Sequence, residues 1–160
     1  MGSVLKALFD TNILIDYLNG LEPAREVFGQ HSDPAISLVT WMEVLAGARG
    51  EKDELVLRAF LSRFEVFPIT WEVAERAILK RRKYRLRLPD ALIWATAEMH
   101  GRVLVTRNTR DFPSEDVSVF FPVSDLNAGE VNGARTARTP AAKTKKAKYN
   151  NLGSKLYFIN

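Results

Sequence analysis

The chain is expected to fold as an α/β protein, with a parallel sheet covered by helices on both faces. Three observations predict this. Short apolar runs alternate with amphipathic stretches over residues 4–121, the rhythm of strands joined through helical crossovers. Proline and glycine stand where those stretches begin and end. The chain has 160 residues, 46% hydrophobic and 10% aromatic, which suits one folded domain with some chain left over.

VLKALF (4–9) reads as a short buried strand, and residues 12–19 as the helix after it. EPAREVFGQH (22–31) is a second helix with Pro23 in its first turn. PAISLV (34–39) is strand-like. TWMEVLAGA (40–48) is helical and is expected to stop at Gly47 or Gly50. ELVLRAFLSRF (54–64) places apolar residues at 55, 57, 60, 61 and 64, a helical stripe. FEVFPI (64–69) is the third strand. WEVAERAILKRRKYR (71–85) is a helix with Val73, Ala74, Ala77 and Ile78 on one face. PDALIWATAEMHG (89–101) opens on proline and closes on glycine. RVLVT (102–106) and VSVFF (117–121) complete five strands.

Composition excludes several chemistries. Cysteine is absent, so there are no disulfides, thiolate metal sites or cysteine nucleophiles, which fits a reducing, cytoplasmic setting. No run approaches the roughly 18 apolar residues of a membrane span, and no secretory leader pattern is seen. The formal charge of +4 is uneven. Residues 123–160 carry seven Lys/Arg and two Asp/Glu, a net of +5, which leaves 1–122 near neutral. The domain is therefore expected over 1–122. Residues 123–160 read as a basic, low-complexity extension, largely unstructured or appended. Its LYFIN end is either a short apolar anchor or a frayed terminus.

Four carboxylates carry the functional question, because ligands in open α/β sheets bind beyond the carboxyl ends of the strands. Asp10 follows the first strand, where it can also cap the next helix together with Asn12. Glu43 stands three residues after Thr40, a spacing that also makes a capping box. Asp90 follows Pro89 in a first helical turn, where the helix dipole favours an acid. Asp111, in TRNTRDF (106–112), is also a plausible turn residue before Pro113. Each has an ordinary explanation alone. Together, four acids at one sheet end repel one another unless a cation cancels their charge. All-oxygen donors suit Mg²⁺ or Mn²⁺, with Thr11, Asn12, Thr106 and Asn108 as supporting polar groups. Asp16, six residues beyond Asp10, is expected on another side of its helix, at the surface or a dimer edge.

Metal-bound acids point to phosphoryl chemistry. KRRKYRLR (80–87) has six basic residues in eight and leads into Asp90. Lys80, Arg81, Arg82, Lys83, Arg85 and Arg87, with Tyr84 as a stacking ring, form a candidate RNA track. The alternative is a solvated helix end whose cations suit the dipole. His31 and His100 fall at expected helix ends and are read as exposed. No nucleophile elbow or glycine-rich phosphate loop is present.

These segments, FDTNILIDYL (9–18), SLVTWMEVLAGA (37–48), LPDALIWATAEMHG (88–101) and LVTRNTRDF (104–112), resemble the PIN-domain family, and within it the VapC-type toxins of toxin–antitoxin pairs. The resemblance covers about residues 4–122. It implies a three-layer α/β/α domain with a mostly parallel five-stranded sheet. It also implies an Mg²⁺- or Mn²⁺-dependent endoribonuclease that dimerises and is silenced by a VapB-like antitoxin inserted in its active-site groove. The family's acids fall on Asp10, Glu43, Asp90 and Asp111, the last being its most variable position. Asn12, Thr106 and Asn108 match positions that support metal or phosphate. Trp94 replaces a usually small residue, and the basic tail has no counterpart. A catalytically silent RNA- or partner-binding module on the same fold is the alternative. A phospho-acceptor receiver is disfavoured, because Thr40 stands where its acceptor Asp belongs and no lysine follows the last strand.

Overall fold

The computed structural model describes residues 5–113 and the backbone of 119–120. The extension expected over 123–160, and the boundary at 122, lie outside the described residues. The elements run β1 (Ala7–Phe9), α1 (Thr11–Leu18), α2 (Glu22–Gly29), β2 (Ala35–Ser37), α3 (Leu38–Ala46), α4 (Glu51–Leu61), β3 (Glu65–Phe67), α5 (Trp71–Tyr84), α6 (Leu88–Met99), β4 (Val103–Val105) and β5 (Val119–Phe120). Four strands have three residues each, and β5 is a two-residue edge. The order is β3-β2-β1-β4-β5, and every pairing is parallel, not merely most of them.

The period-2 alternation of the strands builds the two cores. Ala7, Phe9, Ile36, Val66 and Val105 join one cluster with residues of α1, α2 and α4. Leu8, Leu104 and Phe67 join the other with α5 and α6. The first core is aromatic: Phe9, Tyr17, Phe28, Phe60 and Phe64 meet ring to ring at 4.4–6.5 Å. Contacts of this kind add about 0.5–1.5 kcal/mol each beyond their burial. In the second core α6 is buried nearly all round, with Ala91, Ile93, Trp94, Ala95, Thr96 and Ala97 inaccessible. Its alanines let α5 and the sheet approach. Trp94, flagged by the family resemblance as an unusual size, is fully buried between Tyr84 and Phe112.

Several expectations of detail change. The stripe on α4 is narrower than read, since Leu57, Phe60 and Leu61 are buried but Leu55 is 68% exposed. On α5, Val73 and Ala77 are buried while Ile78 lies at the surface. His31 is half-buried with its ring edge on Phe9, not exposed. His100 is exposed but lies flat on Phe67.

The amino end of the sheet is clamped by one cation. Arg102, 6% exposed, donates to the carbonyls of Ala7 (3.2 Å) and Asp33 (2.8 Å) and pairs with Asp33 (3.1 Å) and Glu65 (2.9 Å). It ties the entrances of β1, β2 and β3 to β4. Among the described residues no such clamp holds the opposite end, and all four candidate acids are found there or on the helices facing it.

Candidate active site

The strand order reverses between β1 and β4: β2 and β3 lie to one side, β5 to the other. This is a topological switch point, where the crevice at the carboxyl ends is widest. Asp10 is the first residue beyond β1 and Thr106 the first beyond β4. Asp10 N–H donates to the Val105 carbonyl at 2.9 Å, extending the ladder by one rung. The two side chains therefore emerge together, and Thr106 Oγ1 donates to Asp10 Oδ2 at 2.7 Å.

Asp10 is 4% exposed and fully engaged. Its Oδ1 accepts from Thr11 N–H at 2.7 Å, and its Oδ2 also accepts from Asn12 Nδ2 at 2.9 Å. It is thus the N-cap of α1 as well as the centre of a polar cluster. Asn12 does not share the capping, contrary to the sequence reading. Its amide bridges Asp10, Thr106 (3.0 Å) and the Arg107 N–H (3.3 Å), joining α1 to the segment after β4.

Glu43 does not close a capping box with Thr40. The helix starts three residues earlier, and Ser37 caps it by accepting from Thr40 N–H at 3.1 Å. Freed from that role, Glu43 Oε2 accepts from Thr11 Oγ1 at 2.5 Å, a charge-assisted bond. Thr11 Oγ1 lies 3.2 Å from Thr40 Oγ1, itself 3.3 Å from Ser37 Oγ. A file of buried hydroxyls thus supports the glutamate. Asp111 is held by Asn108, whose Nδ2 donates to it at 2.9 Å and whose Oδ1 accepts from its N–H at 3.3 Å. Thr106 Oγ1 accepts from Asn108 N–H at 3.1 Å, closing the segment on itself.

The acids share one electrostatic field. Burial pushes the Asp10 carboxyl up to about 6. The Thr106 hydroxyl and Thr11 N–H oppose this, and the charges of Asp90 and Glu43 add to it. Burial likewise brings Asp90 to about 6, with Asp111 and Glu43 adding and Arg87 opposing. Asp90 thus connects the set, since its charge acts on Asp10 and it feels both Glu43 and Asp111. They do not form a closed cage: among the described residues no three His, Asp or Glu side chains are gathered tightly enough to hold a metal as they stand. The donor chemistry still fits a hard divalent cation, with all-oxygen ligands and two carboxyls raised by burial and, further, by neighbouring negative charge.

Part of the basic track is engaged within the fold, and the Lys83 ammonium sits 4.8 Å from the centre of the Tyr84 ring. Lys80 pairs with Glu98 and sits 3.7 Å from the centre of the Trp94 ring. Arg81 donates to the Leu86 carbonyl at 3.1 Å, and Tyr84 packs on Trp94. Arg82, Lys83, Arg85 and Arg87 are exposed. A groove of about 900 Å³ runs along α5 and α6, lined by Trp71, Arg76, Leu79, Lys83, Glu98 and Met99. None of the four acids lines it, so it is not where the chemistry is concentrated.

Two residues were misjudged or missed in the sequence. Asp16 is not at the open surface of the domain: it is 8% exposed and pairs with Arg107 Nε at 2.5 Å. Burial raises its carboxyl, and Arg107 opposes the rise. Arg107 drew no attention because its partner lies 91 positions away in the chain; only the lone arginine between Thr106 and Asn108 hinted at it.

The PIN domain family pattern matches residues 7–115. Ribonuclease VapC10 of Mycobacterium tuberculosis is 37% identical over 114 residues, covering 66% of this chain and 85% of that protein. A tRNA(fMet)-specific endonuclease VapC of Shigella flexneri is 34% identical over 121 residues, covering 68% and 91%. Among solved structures, a toxin–antitoxin complex from Klebsiella pneumoniae superimposes with a TM-score of 0.69 at 44% identity, over 74% of this chain and 98% of that one. A DNA-bound VapBC from Salmonella typhimurium gives 0.65 at 28% identity, over 74% and 99%.

Proposed function

The chain belongs to the PIN-domain family, and from that premise we propose that it is a divalent-metal-dependent endoribonuclease, the toxin of a VapBC-type pair held inactive by a cognate antitoxin. The observation that carries the reading is Asp10: a buried carboxylate at the switch point, oriented by three donors and raised chiefly by its burial, with the charges of Asp90 and Glu43 adding to the rise.

Asp10, Glu43, Asp90 and Asp111 are the residues that would hold Mg²⁺ or Mn²⁺. When bound, such an ion neutralises phosphate charge and makes water a competent nucleophile near neutral pH. The chain supplies the orientation. Thr106, Asn12 and the Thr11 amide fix the Asp10 carboxylate, Thr11 fixes Glu43, and Asn108 fixes Asp111. Arg82, Lys83, Arg85 and Arg87 offer phosphate contacts near the start of α6, lessening the repulsion between an RNA backbone and an acidic pocket. Attack by water on the phosphorus with the 3′ oxygen as the leaving group breaks the P–O3′ bond and leaves 5′-phosphate and 3′-hydroxyl ends. The kinship with toxin–antitoxin structures supports a VapB-like partner, and the homodimer is carried over from the family resemblance.

Asp10→Asn and Asp90→Asn are each expected to abolish EDTA-sensitive cleavage of structured RNA, read on denaturing gels. Wild-type cleavage that persists in excess EDTA overturns the metal mechanism. A catalytically silent module is disfavoured, because none of the four acids is lost.

A further inference from the structure

The segment 106–112 carries Asp111 and Asn108, and it has no regular structure of its own. Its ends are fixed in different ways. Thr106 is fully buried against Asp10, and Phe112 is buried with its ring edge-on to Trp94, centroids 5.6 Å apart. Between them Arg107 reaches back along α1. Its main-chain N–H donates to Asn12 Oδ1 at 3.3 Å, and its Nε donates to Asp16 Oδ2 at 2.5 Å. The side chain of Asp16 is 11% exposed and that of Arg107 57% exposed. A buried acid thus anchors a cation whose backbone belongs to the segment that presents the fourth carboxylate.

We propose that Asp16 and Arg107 are positioning residues that latch the 106–112 segment onto α1 and so hold Asp111 in register with Asp10, Glu43 and Asp90. The proposal rests on the nuclease reading above. Its physical ground is that a catalytic group displaced by about 1 Å loses on the order of 100-fold in rate. A chain segment without a ladder of its own is free to shift by that much unless side chains pin it. The competing role for the pair is neutralisation of a buried carboxylate, with no bearing on Asp111.

The double variant Asp16→Asn with Arg107→Ala separates the two roles, because it removes the buried charge of Asp16 and the side-chain link together, leaving only the main-chain bond to Asn12. Amide hydrogen exchange of residues 107–111 and steady-state RNA cleavage with Mn²⁺ are measured on the full chain. A latch predicts exchange at least about tenfold faster, and kcat lower by about tenfold or more with KM within about twofold. Arg107→Lys, which keeps the cation, restores both to within about threefold of wild type. Wild-type exchange in the double variant overturns the proposal. Faster exchange with unchanged kcat overturns it as well. If the wild-type chain cleaves no RNA, the nuclease reading falls, and the exchange comparison still decides whether the latch exists.

Discussion

Asp10 holds a negative charge where the fold least accommodates it. Its carboxyl ordinarily titrates near 3.8 and in the folded chain is pushed up to about 6, chiefly by burial, as is that of Asp90. The native state therefore binds protons more readily than the unfolded chain between those two values. The penalty is fully present above pH 6 and disappears as pH falls towards 4. In EDTA the melting temperature is expected to rise between pH 7.5 and 5, against the usual direction for a protein whose acids are paired. Differential scanning calorimetry checks this, and Asp10→Asn should flatten the profile. A shift of about two units corresponds to at most roughly 3 kcal/mol for a wholly buried group. Asp90 contributes less because it is more accessible. A flat or opposite profile in the wild-type chain would contradict the arrangement described. The acids were legible as a set because the sequence places each after a strand or near a helix start, although Glu43 lies in the body of α3. Their supports were less so: Thr40-x-x-Glu43 and Ser37-x-x-Thr40 are overlapping frames, and only the end of β2 at Ser37 decides which one caps α3.

At the scale of elements, the turn between α5 and α6 shows how the basic track and the fold constrain each other. Arg85 ends α5 in the left-handed region, φ 56° and ψ 33°, the conformation that glycine adopts at helix ends without steric cost. Among the described residues it is the one non-glycine with positive φ. The turn sends buried Leu86 inward and delivers Arg87 as the N-cap of α6, immediately before the turn that carries Asp90. Arg85→Gly is expected to stabilise the fold by about 0.5–1 kcal/mol, because relief of the left-handed strain outweighs the added freedom of the unfolded chain. It should at the same time weaken RNA binding and reduce its salt dependence by about one phosphate contact. Chemical denaturation and a salt titration of RNA affinity read the two effects separately. No change in the salt slope would remove Arg85 from the track. Helix α5 was legible from its periodicity. What the sequence did not show is that Lys80 and Tyr84 serve the Trp94 core, because helical spacing does not reveal which residue of the next element a side chain meets.

Across the whole molecule the two ends of the sheet are opposites. Arg102 gathers carbonyls and acids at the amino end, whereas the carboxyl end collects acids without a comparably buried cation among the described residues. The parallel sheet, its helices and their order were readable because apolar alternation and helix punctuation are local signals. The Asp16–Arg107 pair was not, since it depends on how β4 returns beside β1 after two further crossovers. The groove along α5 and α6 was also invisible, because Trp71 and Leu79 look like core residues in a sequence and are 78% and 64% exposed in the fold. Trp94 connects these regions, touching Tyr84 of the basic helix on one side and Phe112, next to Asp111, on the other. Such a placement makes the indole an optical gauge built into the domain. In a Trp41→Phe, Trp71→Phe chain, its fluorescence alone remains, shielded from water and bordered by the Lys80 ammonium. Added Mn²⁺ or RNA should change its emission, and a further Trp94→Phe change should silence the signal. An unresponsive Trp94 would mean that the acid pocket and the basic helix accept their ligands without disturbing the core they share.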